Sequence, residues 1–309
     1  MSGIYTELDD LITLRLQARN LHLFKNFAAR SQLAGGTISP FKGRGVDFEE
    51  VRAYQPGDDI RTIDWRVTAR RSQPHTKIFR EERERPVLVV TDLGNNMFFG
   101  SRRCLKSVLA CNVSALLCWA ALNQGDRVGG LVFNELGHRE IRPKRSRKSV
   151  LSLLNLMAES NQALPLDAVR PENSFSNMLT ELRRIARPGT SIYIVSDFQG
   201  AIEDQALDNL YQLSRHTQLN ALHCSDPLES QLPASGLYRV TDGNAKTDLF
   251  TGSRALRKQY RSDFKQAQDQ LRSAYSKQGI PLIELSTAQD PLDQLQPYYS
   301  GHRSRRTGT

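Results

Sequence analysis

The chain has 309 residues, 39% of them apolar and 24% charged, with a formal net charge of +9. That length admits one large α/β domain with an appendage or two modest domains, and the composition excludes a disordered chain. The positive balance permits an acidic partner without demanding one.

The opening residues Met1-Ser2-Gly3-Ile4-Tyr5 carry no secretory pattern, and Glu7, Asp9 and Asp10 follow at once. Residues 6–34 read as helix, with Leu8, Leu11, Ile12, Leu14, Leu16 and Leu21 supplying an apolar face and Ala34-Gly35-Gly36 a stop signal. From Gly43 to Arg85 the pattern turns short, charged and β-like. Residues 45–49 alternate, Tyr54-Gln55-Pro56-Gly57-Asp58 marks a turn, and residues 60–65 and 75–80 follow as further β segments.

A larger domain begins at Pro86. The apolar run Val87-Leu88-Val89-Val90 ends in Asp92, as a central parallel strand does when it delivers a carboxylate to the open end of a sheet. A second run, Ile192-Tyr193-Ile194-Val195, leads into Ser196-Asp197. Between them lie a helix at 103–122, a strand at 127–133, a hairpin return at 139–142, and helices near 148–160 and 177–187. Beyond them come a helix at 203–215, a strand at 219–224, a β pair near 237–240 and 248–250, and a charged helix at 253–277. Ile280 to Leu285 reads as a last strand, with Pro281 suiting an edge. Such alternation predicts a mostly parallel sheet covered on both faces, and ligands of doubly wound folds bind at the carboxyl ends of the strands.

The segment Leu105–Leu122 is apolar enough to suggest a membrane span, but Lys106, Ser107, Asn112 and Ser114 interrupt it. A buried core helix is the expectation, with no transmembrane segment and a cytoplasmic location. Cys104, Cys111 and Cys118 recur every seven residues on one face of that helix, as packing residues in a reducing compartment. Residues 139–148 hold Arg139, Arg142, Lys144, Arg145, Arg147 and Lys148 against Glu140. The stripe could meet nucleic acid or serve as a peripheral contact with anionic membrane. With no interleaved aromatic and no DNA-binding motif around it, a solvated hairpin-to-helix connection is the simpler reading, and sequence-specific nucleic-acid binding is not expected. No P-loop, nucleophile elbow or short-spaced histidine set points to catalysis.

The most specific stretch runs from Gly43-Arg44-Gly45-Val46-Asp47-Phe48-Glu49 through Tyr54-Gln55-Pro56-Gly57-Asp58-Asp59 to Ile63-Asp64-Trp65-Arg66, and then through Arg80-Glu81-Glu82-Arg83-Glu84-Arg85-Pro86 into the first core strand. It resembles the bacterial domain-of-unknown-function family fifty-eight, whose members carry a von Willebrand factor A-like domain. The resemblance implies an α/β, von Willebrand A-like, doubly wound and mostly parallel sheet with an N-terminal helix and a small β-rich appendage. The corresponding boundaries are 1–85 for the helix and charged β element, 86–300 for the main domain and 301–309 for a basic tail with Arg303, Arg305 and Arg306. The von Willebrand A likeness further implies a site in which Asp92, Asn96, Ser176 and Asp197 meet a partner, with Mg2+ as the candidate cofactor. That metal motif is degraded, because Gly94 and Asn96 stand at its serine positions. The alternative is that Asp92 and Asp197 only cap helices or accept backbone N–H bonds.

The family likeness also implies a non-enzymatic adaptor working with a MoxR-type AAA+ ATPase on a client protein. Two other classes stay open: a metal-dependent hydrolase using Asp92 and Asp197, and a nucleic-acid or anionic-membrane binder using residues 139–148. In the charged segment, Asp58, Asp59 and Asp64 alternate with Arg61, Arg66, Arg70 and Arg71 around Trp65, which predicts a lattice of ion pairs with Trp65 as an anchor.

Overall fold

The structure, a computed structural model, describes residues 3–23, 47–55, 63–70, 73–80, 85–163, 174–233, 235–241 and 246–300. The chain divides into two compact units, Ser39–Glu84 and the remainder, Met1–Ile38 with Arg85–Thr309.

In the smaller unit, β1 (Asp47–Ala53) pairs antiparallel with β2 (His75–Arg80), with a register irregularity between Phe48 and Glu50. Between them a four-residue helix, α2, spans Trp65–Thr68. Its start is fixed by Asp64, whose carboxylate accepts the N–H groups of Arg66 and Val67 at 3.0 and 3.2 Å. The β reading of residues 60–65 is thus corrected at its end, where Asp64 caps a helix. Trp65 is 67% exposed, so it does not serve as a buried anchor within this unit. Asp58, Asp59, Arg61 and Arg71 lie outside the described residues, as do residues 24–34 of the expected first helix and the tail.

The larger unit is built on six strands: β3 (Pro86–Asp92), β4 (Arg127–Asn134), β5 (Gly137–Lys144), β6 (Ser191–Ser196), β7 (Gln218–Ser225) and β10 (Leu282–Ser286). Their order across the sheet is β5-β4-β3-β6-β7-β10, with every neighbouring pair parallel except β4–β5. Successive residues of the central runs enter opposite cores, which is why these strands are apolar without alternation. Val87 and Val89 face one side with Tyr193 and Val195, while Leu88 and Val90 face the other with Ile192 and Ile194. A separate hairpin, β8 (Leu237–Thr241) with β9 (Lys246–Phe250), stands outside this sheet.

The first face is covered by α1 (Leu8–Gln17), α3 (Lys106–Asn123), α4 (Arg147–Gln162) and α9 (Pro291–Tyr299). The second carries α5 (Ser174–Ile185), α6 (Asp204–Ser214) and the end of α8 (Arg254–Lys277). A short α7 (Pro227–Ser230) follows β7. Helix α1 buries Leu11 and Leu14 in the first core, and the Leu11 carbonyl accepts the indole N–H of Trp119 at 3.0 Å. It therefore folds with the main unit, and the expected division at residue 85 is corrected. An amphipathic helix this short needs a tertiary surface to be stable, and α3 supplies it.

Helix α3 is the only one among the described residues long and apolar enough to cross a membrane, and 89% of it is buried inside the protein. That is the setting of a core helix. Its first N–H groups have no side-chain cap. Instead Leu105 N–H donates to the Gly3 carbonyl at 2.8 Å and Lys106 N–H to that of Phe99 at 2.7 Å. Gly129 and Gly130 allow close approach within β4: a Cβ on Gly130 would meet the Val89 carbonyl and the Leu153 side chain. The hairpin strand β5 is an exposed sheet edge, and the basic residues it carries are solvated, with Arg139 3.4 Å from Glu159. The opposite edge is β10, as Pro281 suggested.

Candidate functional site

Strand order reverses between β3 and β6, so the loops leaving their carboxyl ends diverge and open a rim. Asp92 ends β3 at that point and is fully buried. One carboxylate oxygen accepts the N–H of Gly94 at 3.0 Å and the other accepts the Ser196 hydroxyl at 2.7 Å. Ser196 ends β6, and its Oγ in turn accepts the N–H of Phe198 at 2.9 Å. Asp197 lies between, with its side chain 11% exposed. The two acids thus sit at the ends of neighbouring strands, joined through one serine.

Phe198 has φ of 59°, a left-handed backbone that a bulky side chain rarely adopts. Packing holds it there: the ring is buried, with centroids 5.7 Å from Phe175, 6.1 Å from His223 and 5.4 Å from Tyr275. Phe175 also packs edge-on to Phe133, the β4 residue that pairs with Asp92. Ser176 follows Phe175 in the first turn of α5 and is fully buried, and its Oγ has no hydrogen-bond partner. Asn96 lies in a single 3-10 turn, Asn95–Met97, and is half-buried. Of the four expected site residues, Asn96 and Asp197 reach the surface, whereas Asp92 and Ser176 lie beneath it.

Several groups of this rim are not among the site residues expected from the sequence. Lys106, the first residue of α3, is only 2% exposed. Its ammonium lies 3.0 Å from Asp197 Oδ2 and 2.6 Å from Glu229 Oε1. Burial alone would push its pKa down, but the Asp197 and Glu229 carboxylates outweigh that and hold it above the usual lysine range. Glu229 belongs to a capping box on α7: its other oxygen accepts the Asp226 N–H at 2.8 Å while Asp226 accepts the N–H of Leu228 at 2.9 Å. Asp226 also accepts the hydroxyl and N–H of Ser101, at 2.5 and 2.8 Å, and the hydroxyl of Thr287. Burial acts to raise its pKa, yet these donors prevail and hold it below the ordinary carboxylate value. One network therefore ties the ends of β6, β7 and β10 to the start of α3.

His223, on β7, is buried with no partner for Nδ1. Its pKa is lowered by burial, against the pull of Asp197 and Glu229. On the other side of Asp92, Glu135 accepts the Asn95 N–H at 2.7 Å through one oxygen, and its second oxygen has no partner. Among the described residues, no three His, Cys, Asp or Glu side chains are grouped to hold a metal ion. The donor set also fails to fit a cation held jointly by Asp92 and Asp197. Gly94 offers no side chain, both Asp92 oxygens accept protein donors, and an ammonium already lies against Asp197.

Uncharacterized proteins of Mycobacterium bovis and Mycobacterium tuberculosis are each 28% identical to this chain over 276 residues, covering 88% of it and 84% of their own length. Among solved structures, a conserved hypothetical protein BatB from Bacteroides thetaiotaomicron superposes with a TM-score of 0.39 at 15% identity, covering 63% of this chain and 98% of that one. An aerotolerance-related membrane protein from Bacteroides fragilis gives a TM-score of 0.37 at 15% identity, covering 62% and 99%. The family model described as "Protein of unknown function DUF58" matches residues 50–274, and the chain belongs to that family.

Proposed function

We propose that the larger unit is a von Willebrand A-like interaction domain, and that the protein is a non-enzymatic adaptor for a MoxR-type AAA+ ATPase acting on a client protein. The strand order, with one antiparallel edge and two acid-bearing strand ends at the switch point, supports the von Willebrand A-like reading. The observation that carries the docking role is the loop between β3 and α3. It brings half-buried Asn96 and 42%-exposed Phe99 to the surface, and it leaves β3 at Asp92, which Ser196 at the end of β6 holds in place. Ile4 and Tyr5 are exposed alongside, with the Tyr5 ring 5.9 Å from that of Phe98. Exposed apolar side chains rimmed by polar groups are the composition of a protein-docking surface.

Asn96 and Phe99 make the direct contacts in this reading, whereas Asp92 acts from below by holding the Gly94 N–H and the Ser196 hydroxyl, and Ser176 stays buried behind them. The test is binding of the purified protein to a purified MoxR-type ATPase from the same organism, measured by biolayer interferometry. Asn96→Arg with Phe99→Ala is expected to weaken binding tenfold or more, about 1.4 kcal/mol. Unchanged affinity removes the rim from the reading, and no binding by the unaltered protein removes the ATPase.

A further inference from the structure

Two carboxylates, Asp197 and Glu229, converge on one point at the carboxyl edge of the sheet, and the group at that point is the ammonium of Lys106. A charge this deeply buried survives only when it is paired and hydrogen-bonded. Here the pairing comes from two different segments, the turn after β6 and the short α7 after β7. The ammonium thus does mechanically what a bound metal does elsewhere: it pulls separate acidic loops onto a common centre. It also enters from α3, the most buried helix of the fold, so the centre is anchored to the core.

We infer that Lys106 is the resident cation of this rim, standing between Asp197 and Glu229 where a divalent ion would otherwise draw the loops together, so that the rim assembles and works without metal. The physical reason is competition for one carboxylate. A divalent ion needs close, direct oxygen ligands. To use Asp197 it would have to approach beside a fixed positive charge in a site of low dielectric, where like charges repel strongly. The shift of Lys106 above the usual lysine range agrees, since the ammonium keeps its proton throughout the neutral range. The inference concerns what holds the rim together and does not depend on which partner the rim meets.

Mn2+ is the probe, because its free form is read directly by electron paramagnetic resonance. The unaltered protein at neutral pH is expected to take up no Mn2+ at the rim. Either no saturable binding, or binding that persists unchanged in both Asp92→Asn and Asp197→Asn, upholds the inference. Binding abolished by either substitution overturns it.

A second arm removes the ammonium. Lys106→Met keeps the stem length and leaves Asp197 and Glu229 facing each other, so Mn2+ is expected to raise the variant's melting temperature while leaving the unaltered protein's unchanged. A folded Lys106→Met protein with no response to Mn2+ would show that the ammonium does not occupy a cation's place. Should that variant fail to fold, the first arm decides alone.

Discussion

The Ser196 hydroxyl donates to the Asp92 carboxylate at 2.7 Å with both residues fully buried, and this contact locks the ends of β3 and β6 together where the sheet order reverses. Ser196→Ala takes one hydrogen-bond donor from a buried carboxylate and also removes the acceptor of the Phe198 N–H. The expected loss of stability is about 1–3 kcal/mol, measured as a lower urea midpoint. A midpoint equal to that of the unaltered protein would mean that water replaces the hydroxyl.

Asp226 has a folded-state pKa below its ordinary value of 3.8. A lowered carboxylate pKa contributes stability that is present above the unfolded value and is lost as pH falls through the folded one. Asp226→Asn is therefore expected to cost about 2–3 kcal/mol at pH 7. The gap to the unaltered protein should narrow as pH falls below 3.8. Chemical unfolding at a series of pH values measures it, and a gap independent of pH would contradict the assignment.

For His223 the sign is that of a base kept neutral by burial. Its folded pKa lies below 6.5, so the unfolded chain takes up the proton first and stability falls as pH drops from 6.5 toward the folded value. His223→Gln removes that component. Its melting temperature is expected to vary less with pH between 7.5 and 5, two set points for the experiment, than that of the unaltered protein (roughly a linkage effect of one site). Parallel curves would exclude His223 as a source of acid sensitivity.

Gly130→Ala tests the packing of β4 on β3 and α4. The added methyl meets a backbone carbonyl, that of Val89, which cannot rotate away, as well as Leu153. Overpacking of this kind costs about 1–3 kcal/mol, read from the thermal midpoint.

Much of the fold was legible because the central strands announce themselves. Val87–Val90 and Ile192–Val195 are unbroken apolar runs of strand length, and such runs fit only a sheet covered on both faces. The short α9 is not among the elements expected from the sequence, although Asp290 before Pro291 is a helix-start signal and Asp290 accepts the Leu292 N–H at 2.9 Å. The charge pattern around Asp64 suggests a lattice of ion pairs, yet its spacing to Val67 is that of a cap. At the rim, proximity of Asp92 to Asp197 follows from topology, but the burial of Asp92 and Ser176 does not, because it depends on loops whose path no periodicity encodes.

Lys106 carried a signal that could have been used. A lysine opening an otherwise apolar helix must find acidic partners if the helix is buried. Ser225-Asp226 after β7 repeats the Ser196-Asp197 ending of β6, and Glu229 three residues on completes a capping box. A third acid-tipped strand was thus written in the chain.

Three of the four thiols, those of Cys111, Cys118 and Cys224, are sealed in the interior, and burial pushes the Cys111 thiol up to about 12. Neither reagent nor hydroxide reaches them while the native packing lasts. The rate at which an alkylating agent marks these sulfurs is consequently a clock for whole-domain opening, with partly accessible Cys104 as its internal reference.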